Sequence, residues 1–306
     1  MSLRTRAVLA MPALRLRAFA KINLGLRILG RRPDRYHEIR TIYQSVSLAD
    51  ALEVSIGSRP GGIVVEADDP TIPSGPENLV YKACKLWRRA RGLSRQIRIK
   101  IEKSIPAGSG LGGASSDAAA TLLALERLTN NRLPLGNRLA LACELGSDVP
   151  FFLVGGRALG CARGGEIYPL HDLPARHCLI VFPGFAQSTA EAYAAASSQL
   201  TGTSRSGSMS SFGMWPQFPW EGWEPAENDF ESIVFAKWPE LQRLKPQLLR
   251  AGAEMVSLSG SGSAVYAILD SARKLTSARA RVPPSWRSFA VETLSRAQYW
   301  RRMFAR

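Results

Sequence analysis

The chain is poor in several things that would have announced a function class. Four cysteines, Cys84, Cys143, Cys161 and Cys178, are too few and too irregularly spaced for a disulfide scaffold or for paired C-x-x-C zinc ligation. They read as small core residues in a reducing compartment. No run of ~18 uncharged apolar residues exists, so a membrane-spanning helix is not expected. No fixed-period repeat appears, which excludes solenoids and propellers. Acidic residues are scarce at the two ends. Residues 1–40 carry ten basic side chains against Asp34 and Glu38, and residues 273–306 carry nine against Glu292, whereas the middle is nearly neutral.

What is present is an ordinary globular composition. The 306 residues are 45% hydrophobic and 21% charged with a net charge of +15, enough for one large domain or two smaller ones. Such basic ends suit nucleic acid, a polyanionic small molecule, or simply solvated termini. The first residues, MSLRTRAVLAMPALRLR, have a short, Pro-interrupted apolar stretch unlike a secretory signal. They read as an N-terminal extension over 1–13, or an early start with Met11 as the true one, on a cytoplasmic protein.

The run LRLRAFAKINLGLRIL (14–29) alternates with a period of two and predicts a strand. TIYQSVSLADALEVSI predicts another, and QIRIKIE (96–102) a third. LVYKACKLWRRAR predicts a helix capped by Asn78 and closed by Gly92. DAAATLLALERLTN and LPLGNRLALACELG predict two more. Residues 147–170 read as a loop with strand-like pieces. A change of style near residue 170 predicts a domain boundary, with domains over 14–170 and 171–306. In the second half HCLIVFPG is a buried strand and STAEAYAAASSQL a helix capped by Ser188 or Thr189. A Ser/Gly/Trp-rich loop spans about 199–225. Helices broken at Pro239 and Pro246 follow, then a strand, a Gly/Ser turn and a strand over 254–270.

The strongest chemical signal is PAGSGLGGASS. Pro106, Ala107, Gly108, Ser109, Gly110, Leu111, Gly112, Gly113, Ala114, Ser115 and Ser116 lie between a strand and an Ala-rich helix. Small residues let backbone N–H groups approach an anion, and the helix start adds unpaired donors. Lys103 can add a charge. A nucleoside triphosphate is the obvious ligand. The segment matches G-x-G-x-x-G, but no acidic residue follows at the distance a dinucleotide fold needs. G-x-x-x-x-G-K-[ST] and the protein-kinase signatures are missing too. Lys21 and Asn23 share one side of a strand. Asp148 follows a helix that ends at Gly146. Taken singly these are a solvated strand face and a turn residue, and Tyr36 and His37 are a surface pair.

Five segments occur in an order that resembles the GHMP small-molecule kinases: AKINLGLRILGRRPDRYHEI (20–39), IPAGSGLGGASSDAAA (105–120), LGSDVPFFLVGGRALG (145–160), ENDFE (227–231) and SLSGSGSAVYAIL (257–269). The first, AKINL followed by GRRPDRYHE, is similar to the branch that phosphorylates a cytidine-diphosphate-linked methylerythritol in non-mevalonate isoprenoid synthesis. The resemblance implies an α+β fold of two domains. The N-terminal one is like the second domain of ribosomal protein S5 and the C-terminal one is ferredoxin-like, with the active site between them. It implies ATP as phosphate donor, Mg²⁺, and a small-molecule cytidine diphosphate substrate, in a monomer or weak homodimer that needs neither nucleic acid nor membrane. By the same resemblance Lys21 and Asp148 are catalytic, and Asn23 lies near the transferred phosphate. Residues 106–116 hold ATP, with Asn78 on the adenine side and Ser116 near the metal. Tyr36, His37, Thr189 and Tyr193 face the cytidine. The remaining readings are a kinase of the homoserine or mevalonate type, and a nucleic-acid-binding module using the basic ends.

Overall fold

A computed structural model describes residues 13–34, 36–200, 222–223 and 227–304, with the backbone alone at 197–200. Residues 1–12 of the expected N-terminal extension lie outside them.

The first half builds β1 (Ala13–Arg31), β2 (His37–Pro60), β3 (Ile63–Ala67), α1 (Leu79–Arg91) and β4 (Arg95–Glu102). It continues through α2 (Gly113–Thr129), α3 (Leu135–Leu145), α4 (Val149–Phe152), β5 (Arg157–Cys161) and β6 (Glu166–Pro169). The sheet runs β3-β4-β2-β5-β6, and β1 pairs antiparallel with β2. The second half builds β7 (His177–Phe182), α5 (Thr189–Leu200), α6 (Glu231–Lys237), α7 (Pro239–Arg250), β8 (Met255–Leu258), β9 (Val265–Leu269), α8 (Ala272–Arg279), β10 (Arg287–Glu292) and α9 (Arg296–Met303). Its sheet order β10-β7-β9-β8 is all antiparallel, the strand order of a ferredoxin-like unit. The loop expected over about 199–225 lies outside the described residues, save for the end of α5 and residues 222 and 223.

β1 positions the site because it is covered on both faces. Ala20, Ile22 and Leu24 pack with Cys178, Ile180, Tyr266 and Ile268 of the second sheet, while Ala18 and Phe19 join the core formed by α1 and α2. Polar side chains on the second face, Lys21 and Asn23, are therefore buried rather than solvated.

Several sequence expectations are corrected. Pro246 sits inside α7 without breaking it, because Pro246 and Gln242, whose carbonyl it frees, are both exposed to water. β3 was not foreseen. In residues 147–170 the strand-like pieces are the hairpin β5–β6, and the short helix α4 was not foreseen. Helix α2 starts at Gly113, four residues earlier than its Ala/Leu content suggests. Cys143 is exposed, and all four cysteines are free. Finally, α9 packs back onto the first core. Tyr299 is fully buried against Phe19 and donates to the Phe152 carbonyl at 2.7 Å. The N-terminus of α9 is closed by a capping box of Ser295 with Gln298.

Candidate active site

A cavity of about 960 Å³ is lined by residues from both halves of the chain. The loop 106–115 forms one wall. Gly110 adopts φ +81°, and a Cβ there would lie 2.0 Å from the Ser259 carbonyl oxygen. Gly112 adopts φ +75°, and its Cβ would meet Phe152 at 2.8 Å and Lys21 at 3.2 Å. Only glycine fits these positions. No side chain caps α2, so its first-turn N–H groups are left for a ligand.

The Gly/Ser turn between β8 and β9 closes onto this loop. Ser259 Oγ donates to the Gly110 carbonyl at 3.0 Å, and Ala264 N donates to the Ser109 carbonyl at 3.0 Å. Asn228 Nδ2 holds the turn by donating to the Leu258 and Gly260 carbonyls at 2.8 and 2.9 Å. A Cβ on Gly260 would reach Asn23 Oδ1 and Lys21 Nζ, each at 3.3 Å. The turn thus sits over the β1 polar pair.

Lys21 Nζ donates to Asn23 Oδ1 at 2.6 Å and lies 3.5 Å from Asp148 Oδ2. Asn23 Nδ2 donates to Thr41 Oγ1 at 2.8 Å, which settles the amide's orientation. Asp148 occupies the residue before α4 but makes no capping bond. Its carboxylate meets Lys21 and the Tyr43 hydroxyl instead. The Asp148 side chain is 31% exposed and the Lys21 side chain 4%, so the carboxylate faces the cavity while the ammonium backs it. A buried cation beside a partly exposed carboxylate, next to an anion-binding loop, suits transfer of a phosphoryl group to a hydroxyl.

At the other end His37 stacks on Tyr193, with ring centroids 4.8 Å apart and planes 21° apart. Burial, and then Arg31, hold the His37 imidazole below its ordinary range. Tyr193 packs edge-on against Phe230 at 4.8 Å. Tyr36 lies outside that stack, half-exposed, with the Arg163 guanidinium 4.7 Å from its ring centre. Thr189 Oγ1 is 3.1 Å from Ser261 Oγ, tying α5 to the Gly/Ser turn.

Three sequence candidates are placed elsewhere. Asn78 is the N-cap of α1, accepting from Val80 N at 2.8 Å and donating to the Pro73 carbonyl at 2.7 Å, and it does not line the cavity. Leu111 is fully buried in the apolar layer between the sheets. Ser116 is buried, and its Oγ donates to the Phe19 carbonyl at 2.7 Å, so its hydroxyl is not offered to a metal. Ser115 does line the cavity. Tyr43, Arg31, Arg163 and Phe230 line it without having been foreseen, and Gly260 brings the second Gly/Ser turn to it. Tyr43 pairs with Asn23 across the β1–β2 ladder, and that register was the signal that would have found it.

Lys103 reaches the cavity from β4's end. Its Nζ donates to Asp117 Oδ2 at 2.8 Å and to Asp50 Oδ2. Asp50 Oδ1 also accepts from Ser104 N and Ile105 N at 2.6 and 2.8 Å, which anchors the start of the loop. The two carboxylates hold Lys103 above its ordinary range, although burial opposes them. Burial outweighs Lys103 at Asp117 and pushes that carboxyl up to about 7. An acid raised on folding favours the fold below its unfolded value near 3.8, and that contribution is lost as pH rises towards 7. Unfolding free energy, measured by urea titration at pH 5 and pH 8, should therefore fall more steeply with pH in the wild type than in Asp117→Asn. Equal slopes would contradict this account of the cluster.

Comparison with known proteins places the chain in a family. The model of the GHMP kinases N terminal domain matches residues 78–156, and that of the GHMP kinases C terminal domain matches residues 221–286. A curated 4-diphosphocytidyl-2-C-methyl-D-erythritol kinase from Solibacter usitatus is 44% identical, over 83% of this chain and 80% of that protein. A crystal structure of 4-(cytidine 5'-diphospho)-2C-methyl-D-erythritol kinase superposes with a TM-score of 0.70 at 34% identity, covering 92% of this chain and 99% of that one. A homoserine kinase from Cytophaga hutchinsonii, 18% identical with a TM-score of 0.63 over 96% of this chain and 98% of its own, shares the fold alone. The chain belongs to the GHMP kinases, and within them to the 4-diphosphocytidyl-2-C-methyl-D-erythritol kinase family.

Proposed function

We propose that this enzyme transfers the γ-phosphate of ATP to the tertiary 2-hydroxyl of 4-diphosphocytidyl-2-C-methyl-D-erythritol, an isoprenoid-precursor kinase of the cytoplasm. The observation that carries the reading is the Lys21–Asp148 pair, 3.5 Å apart, in the same cavity as the glycine loop.

Backbone N–H groups of 108–115 and the start of α2 hold the phosphates, and the Gly/Ser turn covers them. Asp148 receives the hydroxyl in a hydrogen bond and orients it toward the γ-phosphorus. A loose transition state needs little activation of the alcohol. The proton therefore moves late to Asp148 as the new P–O bond forms and the bridging P–O bond breaks to release ADP. Lys21 offsets negative charge on the reacting oxygens, and Asn23 holds its ammonium in place. Among the described residues no cluster of three metal-ligating side chains exists. That donor set suits Mg²⁺ held chiefly by phosphate oxygens and water, with the Ser115 hydroxyl as the loop's contribution. When bound, the ion neutralises phosphate charge.

Arg31 and Arg163 suit the substrate's diphosphate, and Tyr36 and Tyr193 its cytosine. His37, stacked on Tyr193, places a second ring at the same end of the cavity. Stacking on an aromatic ring is worth roughly 1–3 kcal/mol per base. Tyr36→Ala should accordingly raise KM for the cytidylyl substrate about tenfold with kcat nearly unchanged, and an unchanged KM would argue against this face as the cytidine site. The activity itself is tested by following ADP release with ATP, Mg²⁺ and each of 4-diphosphocytidyl-2-C-methyl-D-erythritol, homoserine and mevalonate. Turnover of the first alone is expected. Turnover of either other alcohol in its place would overturn the substrate assignment.

A further inference from the structure

Tyr43 is a fully buried side chain whose hydroxyl lies 3.0 Å from Asp148 Oδ1. Its ring stands beside Phe151, with centroids 4.8 Å apart, and Lys21 Nζ sits 5.5 Å from the ring centre. The hairpin β5–β6 makes room for it. A Cβ on Gly160 would come within 2.4 Å of the Tyr43 ring, and one on Gly164 within 2.5 Å of its hydroxyl oxygen. Gly160 is not in the left-handed region, so its backbone conformation does not demand glycine and the space for the ring does.

The hydroxyl has one proton and two acceptors in reach, Asp148 Oδ1 at 3.0 Å and the Gly164 carbonyl at 3.4 Å. The nearer acceptor is charged, and it takes the bond. Burial, then Asp148, raise the Tyr43 phenol well above its ordinary range, so it remains a donor at every working pH. The carboxylate is therefore divided: Oδ1 faces Tyr43 on β2 and Oδ2 faces Lys21 on β1. Tyr193 on α5 is a further titratable group that feels the Asp148 charge.

We propose that Tyr43 is a positioning residue for phosphoryl transfer. Its hydroxyl fixes the rotation of the Asp148 carboxylate, so that Oδ2, beside Lys21, is the oxygen that meets the acceptor alcohol. This rests on the kinase reading above, and the test separates the two.

The experiment is a double-mutant cycle read as kcat with ATP and the cytidylyl alcohol. Tyr43→Phe keeps the ring and removes only the hydroxyl. Loss of a hydrogen bond to a charged group should lower kcat about tenfold, with KM for both substrates changed by less than about twofold. In an Asp148→Ala background, where no carboxylate remains to be held, the same substitution should change the residual kcat by less than about twofold. A tenfold loss that persists without Asp148 would make Tyr43 a packing residue and overturn the proposal. So would a Tyr43→Phe enzyme with wild-type kcat. Any general loosening of the fold by Tyr43→Phe enters both backgrounds alike and cancels in the ratio. Absence of turnover in the wild-type chain would instead sink the kinase reading on which the proposal stands.

Discussion

Asp148→Asn should lower kcat by about 10²–10⁴, the range for loss of a positioned proton acceptor, while leaving KM for ATP within a few-fold. That loss corresponds to roughly 3–5 kcal/mol of transition-state stabilisation. The substitution keeps the side chain's shape and its acceptor oxygen for Tyr43 but removes the charge that pairs with Lys21. Lys21 then remains buried, donating to the neutral Asn23 Oδ1 at 2.6 Å. The nucleotide site is unaffected in this account, because the loop's N–H groups and the start of α2 do not depend on Asp148. Steady-state kinetics with both substrates varied separates the two terms. Turnover near the wild-type value would remove Asp148 from the mechanism.

Gly110→Ala should be nearly as damaging, and by a different route. At φ +81° a Cβ costs about 1–2 kcal/mol on conformational grounds alone. The added atom also meets Ser259 O at 2.0 Å, Ser259 C at 3.1 Å and Gly262 N at 3.2 Å, all of them backbone. None of these is the flexible end of a side chain, so the loop and the turn must separate. Separation breaks the bonds that join them, Ser259 Oγ to Gly110 O and Ala264 N to Ser109 O. A stability loss of about 2–4 kcal/mol is expected, together with a rise of about tenfold or more in KM for ATP. Gly136→Ala is the control. That glycine lies in α3 with nothing within 4 Å of its added Cβ, so both ATP kinetics and melting should be unchanged or slightly improved. Equal behaviour of the two variants would mean that the closed loop does not shape the nucleotide site.

The parts of the site that were legible in the sequence are those where chemistry demands an unusual local composition. A run of glycine and serine between a strand and an Ala-rich helix has few uses other than anion binding. The spacing Lys21-x-Asn23 placed two polar groups on one face of a strand whose other face, Ile22 and Leu24, is apolar. Neither segment reveals its burial. Lys21 and Asn23 look like a solvated face until the glycine loop at Gly112 and the Gly/Ser turn at Gly260 close over them, and that covering is a long-range event. Tyr43 was hidden for the same reason, since its hydroxyl meets Asp148 across more than a hundred residues of chain. Ser116 and Asn78 were misleading in the opposite sense. Each carries a polar group of the right type, but backbone groups claim it, Phe19 O in one case and Val80 N with Pro73 O in the other. The return of α9 to the first core had no signal, since the Ser295–Gln298 capping box marks where the helix starts and says nothing of what it packs against.

The most direct test is a crystal structure of the protein with a non-hydrolysable ATP analogue and the cytidylyl alcohol. The account expects the triphosphate along residues 108–115 under the Gly/Ser turn, and the terminal phosphorus in line with the substrate's tertiary hydroxyl, within hydrogen-bond reach of Asp148 Oδ2 and Lys21 Nζ. A triphosphate seated away from that loop, or a hydroxyl bound out of reach of Asp148, would contradict it.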